Sequence, residues 1–147
     1  MHIGVLPCIH SHLCSSSHFP EPSKIFVLGG YLDDGPIADV EIVDLNPDNP
    51  PCRKPADMPV PNYGFVAALV NGSPVTCGGV GVKECYRYSI EGDTWHVLPE
   101  TLDQERRYAS SVLINDKTWW IAGGSNAEGT GKQLSSTLIY DVSLFQL

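Results

Sequence analysis

From residue 24 onward the apolar residues fall into short runs punctuated by Gly, Asn and Asp, with no stretch of helical period. The middle of the chain shows the pattern most fully. Phe65 to Val70 is apolar throughout, and Asn71-Gly72 follows. Asn-Gly suits a type I′ turn because both central residues need positive φ. A second strand is predicted from Pro74 to the glycine pair Gly78-Gly79, and a third from Glu84 to Ile90. Gly92-Asp93 then turns the chain into an outer strand around Trp95 to Leu98. The end of the chain repeats the pattern: Ser110 to Asn115, a turn at Asn115-Asp116, Trp119-Trp120 in the next strand, and a strand from Leu138 to Val142. Adjacent strand residues point to opposite faces, so Trp119 and Trp120 cannot both enter one core.

The same pattern recurs as a repeat. A β-type run ends in a glycine pair at Gly29-Gly30, Gly78-Gly79 and Gly123-Gly124, at separations of 49 and 45 residues. Tyr63 lies 15 residues before Gly78, and Tyr108 lies 15 before Gly123. On that spacing Phe65 to Val70 aligns with Ser110 to Asn115 without a gap. Trp95 is followed by Leu98 and Thr101, and Cys52 by Pro55 and Met58, at the same offsets. A period of about 45–50 residues indicates one supersecondary unit per repeat.

A glycine pair closing one strand, a Tyr-Asp near the end of the next, and then a spaced Trp make the units resemble the kelch family. Tyr140-Asp141 keeps the Tyr-Asp pair, Tyr88 and Asp44 each keep half, and Trp95 keeps the tryptophan, where the first unit has Cys52. The resemblance spans residues 24 to 144 and implies an all-β fold of kelch-type β-propeller blades, each a four-stranded antiparallel sheet. The expected division is a disordered leader over 1–23, a partial blade over 24–58, a complete blade over 62–101 and a partial blade over 106–147. The serine-rich segment from Cys14 to Pro20 has no strand pattern and leaves the first blade without an innermost strand. Propellers close a ring of several blades, so this arrangement is expected to be an incomplete propeller or a fragment lacking further kelch blades.

The net charge is −8, from 17 acidic and 9 basic residues. The basic residues form no stripe able to neutralise phosphates, so no nucleic-acid partner is expected. No run approaches the roughly 20 apolar residues of a membrane span. The N-terminal apolar run has no Lys or Arg before it and is broken by Pro7, a poor signal peptide. The compartment stays open between cytoplasmic and secreted.

Candidate chemistry is sparse. Gly129-Thr130-Gly131-Lys132 lacks the upstream Gly and following Ser or Thr of a phosphate loop. Cys8, His10, His12 and Cys14 alternate too tightly for a zinc site, so no metal and no cofactor are expected. Cys77 ends one strand and Cys85 begins the next. A hairpin can bring such positions within disulfide range, while free buried cysteines suit the pattern equally. Asn71-Gly72-Ser73 fits a glycosylation acceptor, but Pro74 disfavours modification and the turn accounts for the residues. No paired carboxylates or Ser/His/Asp set stand at a recognisable spacing, and no enzymatic activity is expected.

Function is therefore expected in the loops. The segments after two of the glycine pairs, Tyr31 to Ile37 and Ser125 to Gln133, differ most between units. Tyr31, Leu32, Asp33, Asp34, Ser125, Asn126, Glu128 and Lys132 are the candidate contacts for a protein partner. Gly29, Gly30, Gly78, Gly79, Gly123, Gly124, Tyr88, Trp95 and Tyr140 are assigned to the repeat framework. The kelch resemblance implies an adaptor or scaffold, and its enzymatic counterpart is a galactose-oxidase-like propeller whose Tyr, His and Cys copper ligands find no match here.

Overall fold

The computed structural model describes residues 15–18, 24–46, 48, 52–126 and 132–145. These form three antiparallel sheets in chain order. The first is β1 (Ser15–His18), β2 (Lys24–Leu32), β3 (Gly35–Asp44) and β4 (Cys52–Arg53). The second is β5 (Val66–Val70), β6 (Ser73–Cys77), β7 (Glu84–Ser89) and β8 (Thr94–Thr101). The third is β9 (Ser110–Asn115), β10 (Thr118–Ala122) and β11 (Thr137–Asp141), followed by a 3₁₀ turn at Val142–Phe145. Each strand pairs with its neighbour in sequence, so every sheet is a meander built from local hairpins.

The middle sheet is apolar on both faces because it lies between two others. Val66, Ala68, Val70, Val75, Cys77 and Cys85 pack with Trp119, Ile121, Val142 and Phe145 of the third unit. On the opposite face, Ala67, Leu69, Tyr88 and Trp95 pack with Phe26, Leu28, Val40 and Ile42 of the first. That two-sided burial is why Phe65 to Val70 reads as a continuous apolar run rather than an alternating one. Full burial of each large side chain in these layers contributes about 1.5–3 kcal/mol.

Two expectations are corrected. Ser15–His18 is a strand, paired with Leu28 to Ile25, so the first sheet has four strands and the disordered leader does not extend through these residues. Strand pairing uses the backbone N–H and C=O groups, which a polar run supplies as well as an apolar one. The rest of the leader, including Cys8, His10, His12 and Cys14, lies outside the described residues.

The second correction concerns register. Ala68 pairs with Val75 in the second sheet, whereas Val112 pairs with Trp120 in the third. Val75 and Trp120 are 45 residues apart, but Ala68 and Val112 only 44. The gapless alignment is thus one residue off in the first strand, and a bulge between Thr118 and Trp119 takes up the difference. The residues before these strands follow the same shift. Gly64 (φ 68°) and Tyr108 (φ 54°) adopt the same left-handed conformation, so Tyr63 corresponds to Arg107 rather than to Tyr108. One residue of slip reverses the face of every side chain.

The third sheet has two unlike faces, one packed on the second unit and one uncovered by described residues. Trp119 is fully buried against the second unit, while Trp120 is 43% exposed. Val112, Trp120 and Ile139 lie side by side across the outer face of β9, β10 and β11, and Ile114 extends the same row. No described residue covers them.

Candidate interaction surface at the glycine ends of the sheets

The glycine pairs sit where each unit meets the connector into the next. The Gly30 N–H donates to the Asn62 carbonyl at 3.0 Å, and the Gly79 N–H donates to the Arg106 carbonyl at 2.9 Å. A Cβ on Gly29 would come within 2.6 Å of the Asn62 carbonyl oxygen, and one on Gly78 within 2.7 Å of that of Arg106. Only glycine permits this approach, at φ values of 55° and 74°.

Asn62 and Arg106, 44 residues apart, complete the same clamp with their side chains. Asn62 Nδ2 donates to the Gly78 carbonyl at 3.0 Å, and Arg106 Nη1 donates to the Gly123 carbonyl at 2.6 Å. Each connector residue thus holds the second glycine of the unit before it and the first glycine of its own. Asn62 Oδ1 also accepts from the N–H groups of Tyr63 and Val80. The fully buried Arg106 guanidinium donates further to Ser136 and to the Asp103 carboxylate. The sequence motifs did not single out this pair, because an Asn and an Arg share no residue type. Their common signal is the distance to the glycine pair after allowance for the one-residue bulge. No described residue meets the Gly124 N–H in this way, and a Cβ on Gly123 would touch only the Leu134 carbonyl, at 3.6 Å.

The clamps bring three tyrosines from successive units into a row. Tyr31 and Tyr63 stand edge to face with ring centres 5.0 Å apart, and Tyr63 and Tyr108 lie 6.2 Å apart. The Arg107 guanidinium lies over the Tyr108 ring, 5.9 Å from its centre. Gly64 makes room for this arrangement, since a Cβ there would meet the Tyr108 ring at 3.0 Å. Tyr31 and Tyr108 are 43% and 62% exposed, so the row offers aromatic faces and hydroxyl groups to solvent. Rings with an apolar body and a polar tip suit protein contact, as they bury area at low entropic cost.

The predicted contact residues divide. Tyr31 belongs to the row. Leu32 is half-buried, and Asp33 and Asp34 are exposed at a two-residue turn. The expected loop from Tyr31 to Ile37 is therefore mostly strand: β2 and β3 continue past the glycines, with Leu32 paired to Gly35. Ser125 and Asn126 are buried, not presented as contacts. Ser125 exchanges backbone hydrogen bonds with Arg107 at 2.8 and 2.9 Å, and Asn126 Nδ2 donates to Gln104 Oε1. Lys132 is exposed, and Glu128 lies outside the described residues. Tyr63, Arg107 and Tyr108 join the surface instead.

The framework residues have local roles. Tyr88 donates to Asp93 Oδ1 at 2.5 Å, that oxygen also accepts from the Ala56 N–H, and Trp95 Nε1 donates to the Ala56 carbonyl. Burial, together with the bond to the Asp93 carboxylate, pushes the Tyr88 hydroxyl up to about 12. The Tyr88 and Ala56 donors hold Asp93 below the usual carboxylate range. Tyr140 donates to the Thr101 carbonyl. Asp44 and Asp141 each accept from the N–H two residues ahead, at Asn46 and Ser143, which explains an acid at the end of the third strand. Cys77 and Cys85 form a disulfide across β6 and β7, with Cα atoms 4.1 Å apart.

A cleft between the first and second units, lined by Met58, Asn62, Phe65 and Tyr86 among others, has room for about one water molecule. Among the described residues no three His, Cys, Asp or Glu side chains cluster as metal ligands. No helix there is long and apolar enough to cross a membrane.

No protein-family profile matches the chain, and no curated protein matches it in sequence. In three dimensions it is similar to a solved chain titled "Structure of YjhT", with a TM-score of 0.71 at 19% identity. The match covers 88% of this chain and 43% of that one, so the chain spans less than half the length of the structure it resembles. Together with the three consecutive antiparallel sheets, this likeness establishes the fold: an all-β chain of propeller blades that makes up an incomplete β-propeller.

Proposed function

We propose that the chain is a protein-interaction module of kelch-repeat type, an adaptor or scaffold rather than an enzyme, and that it works within a larger propeller. The observation that carries the reading is the row Tyr31–Tyr63–Tyr108, assembled from three units at one end of the sheets. Asp33 and Asp34 border it on one side and Arg107 on the other, giving a polar rim to an aromatic centre, the usual anatomy of a protein contact. The acidic balance of the chain favours a protein over a nucleic acid as partner. The uncovered outer face of the third sheet supports membership of a longer propeller.

The test is affinity capture with wild type and a Tyr31→Ala/Tyr108→Ala variant whose thermal unfolding matches wild type. A partner bound through this surface is lost from the variant, and its affinity falls at least about tenfold, as expected when exposed aromatic anchors are removed. Undiminished binding by the variant rejects the surface.

A further inference from the structure

The Asn71-Gly72 turn between β5 and β6 holds a reactive pair that the binding reading does not use. Asn71 is exposed and left-handed (φ 49°), followed by Gly72 at φ 78°. Nothing lies within 4 Å of the position a Gly72 Cβ would occupy. The Gly72 backbone nitrogen therefore has no side chain of its own beside it, and nothing beyond its two chain neighbours crowds that position.

We propose that Asn71 is a site of spontaneous deamidation. The Gly72 nitrogen attacks Asn71 Cγ; the new N–Cγ bond forms as the amide C–N bond breaks, and ammonia leaves with the proton from Gly72. Water then opens the five-membered imide at either carbonyl, giving aspartate or isoaspartate. No oxidant, reductant or enzyme is required. Each event adds one negative charge, and the isoaspartate product routes the main chain through the side-chain carbons, lengthening the turn by a methylene.

The other five asparagines lack these conditions. Asn46 and Asn49 precede prolines, whose nitrogen carries no proton to lose. Asn62 is buried and engaged at both side-chain atoms. Asn115 Oδ1 accepts from the Lys117 N–H, and the next residue, Asp116, carries a side chain. Asn126 is buried and bonded to Gln104. The turn also sets the pairing of Val70 with Ser73 and of Ala68 with Val75, so modification there acts on strands that form the contact with the third unit.

The folded chain is incubated in mildly alkaline buffer beside a synthetic peptide of residues 66 to 77, and both are followed by peptide mapping. Asn71 is expected to convert in the folded chain about tenfold faster than any other asparagine, because only its attacking nitrogen belongs to a residue without Cβ. An Asn71→Gly variant, which keeps a turn-compatible Gly-Gly pair, is expected to lose the acidic species seen by isoelectric focusing. Retention of the Asn71 amide in the folded chain while the peptide converts overturns the proposal. So does an acidic species that persists in Asn71→Gly.

Discussion

Asn62 and Arg106 show how unlike side chains perform one task. Each pairs a backbone carbonyl with a side-chain donor, and each spans two glycine pairs. Arg106→Met removes the donors to the Gly123 and Ser136 carbonyls and the ion pair with Asp103; a loss of about 2–4 kcal/mol is expected in denaturant unfolding. The Tyr88–Asp93 bond gives a pH signature. Asp93 titrates below its ordinary range, so its contribution is present above about pH 4 and is lost as pH falls further. Tyr88 is raised to about 12, so its contribution is complete below about pH 10 and is lost between there and 12. Melting temperature against pH should fall on both sides in wild type, and Asp93→Asn should flatten the acid side. A flat acid limb in wild type would refute this. At this scale the sequence showed the glycines, Tyr88 and Trp95, because their residue types recur. It hid the clamp, because a carbonyl contact leaves no trace in residue type.

Elements were legible wherever turn chemistry was strong. Asn71-Gly72 and Gly92-Asp93 marked hairpins correctly, with positive φ at Asn71, Gly72 and Asp93. The first strand of the first sheet was missed because Ser15–His18 contributes backbone rather than pattern. The third hairpin was read one residue out of register, since a bulge is silent in a run such as Lys117-Thr118-Trp119. The glycine pairs differ in what they face, and substitution should report it. Gly78→Ala would drive a Cβ to 2.6 Å from Leu102 and is expected to cost about 3 kcal/mol; Gly123→Ala meets only a carbonyl at 3.6 Å and should cost about 1 kcal/mol, mostly left-handed strain. Equal costs would show that the connector yields. Reducing the Cys77–Cys85 bond, which spans 8 residues, should lower stability by about 2–3 kcal/mol, measured as a shift in urea midpoint with and without reductant.

Across the whole molecule, two interfaces between sheets are satisfied and a third surface of the same kind is open. Trp120, Val112, Ile114 and Ile139 form an apolar row on a chain that otherwise carries a net charge of −8. Trp120→Ser should reduce dye binding and self-association with little change in unfolding midpoint, because the side chain contributes to no core. A large stability loss would mean that Trp120 is covered. The repeat period made the succession of blades visible from sequence, whereas the tyrosine row was not, since its members occupy different positions within their units.

The clamps also give the chain a direction in time. Among the described residues the Gly30 N–H finds its acceptor on Asn62, and the Gly79 N–H on Arg106, so a unit leaving the ribosome stays unfinished until the start of the next has emerged. Synthesis therefore closes the blades one behind another, from the N-terminal side, and a pause in translation just before Asn62 or Arg106 would hold a nearly formed sheet with its last latch open.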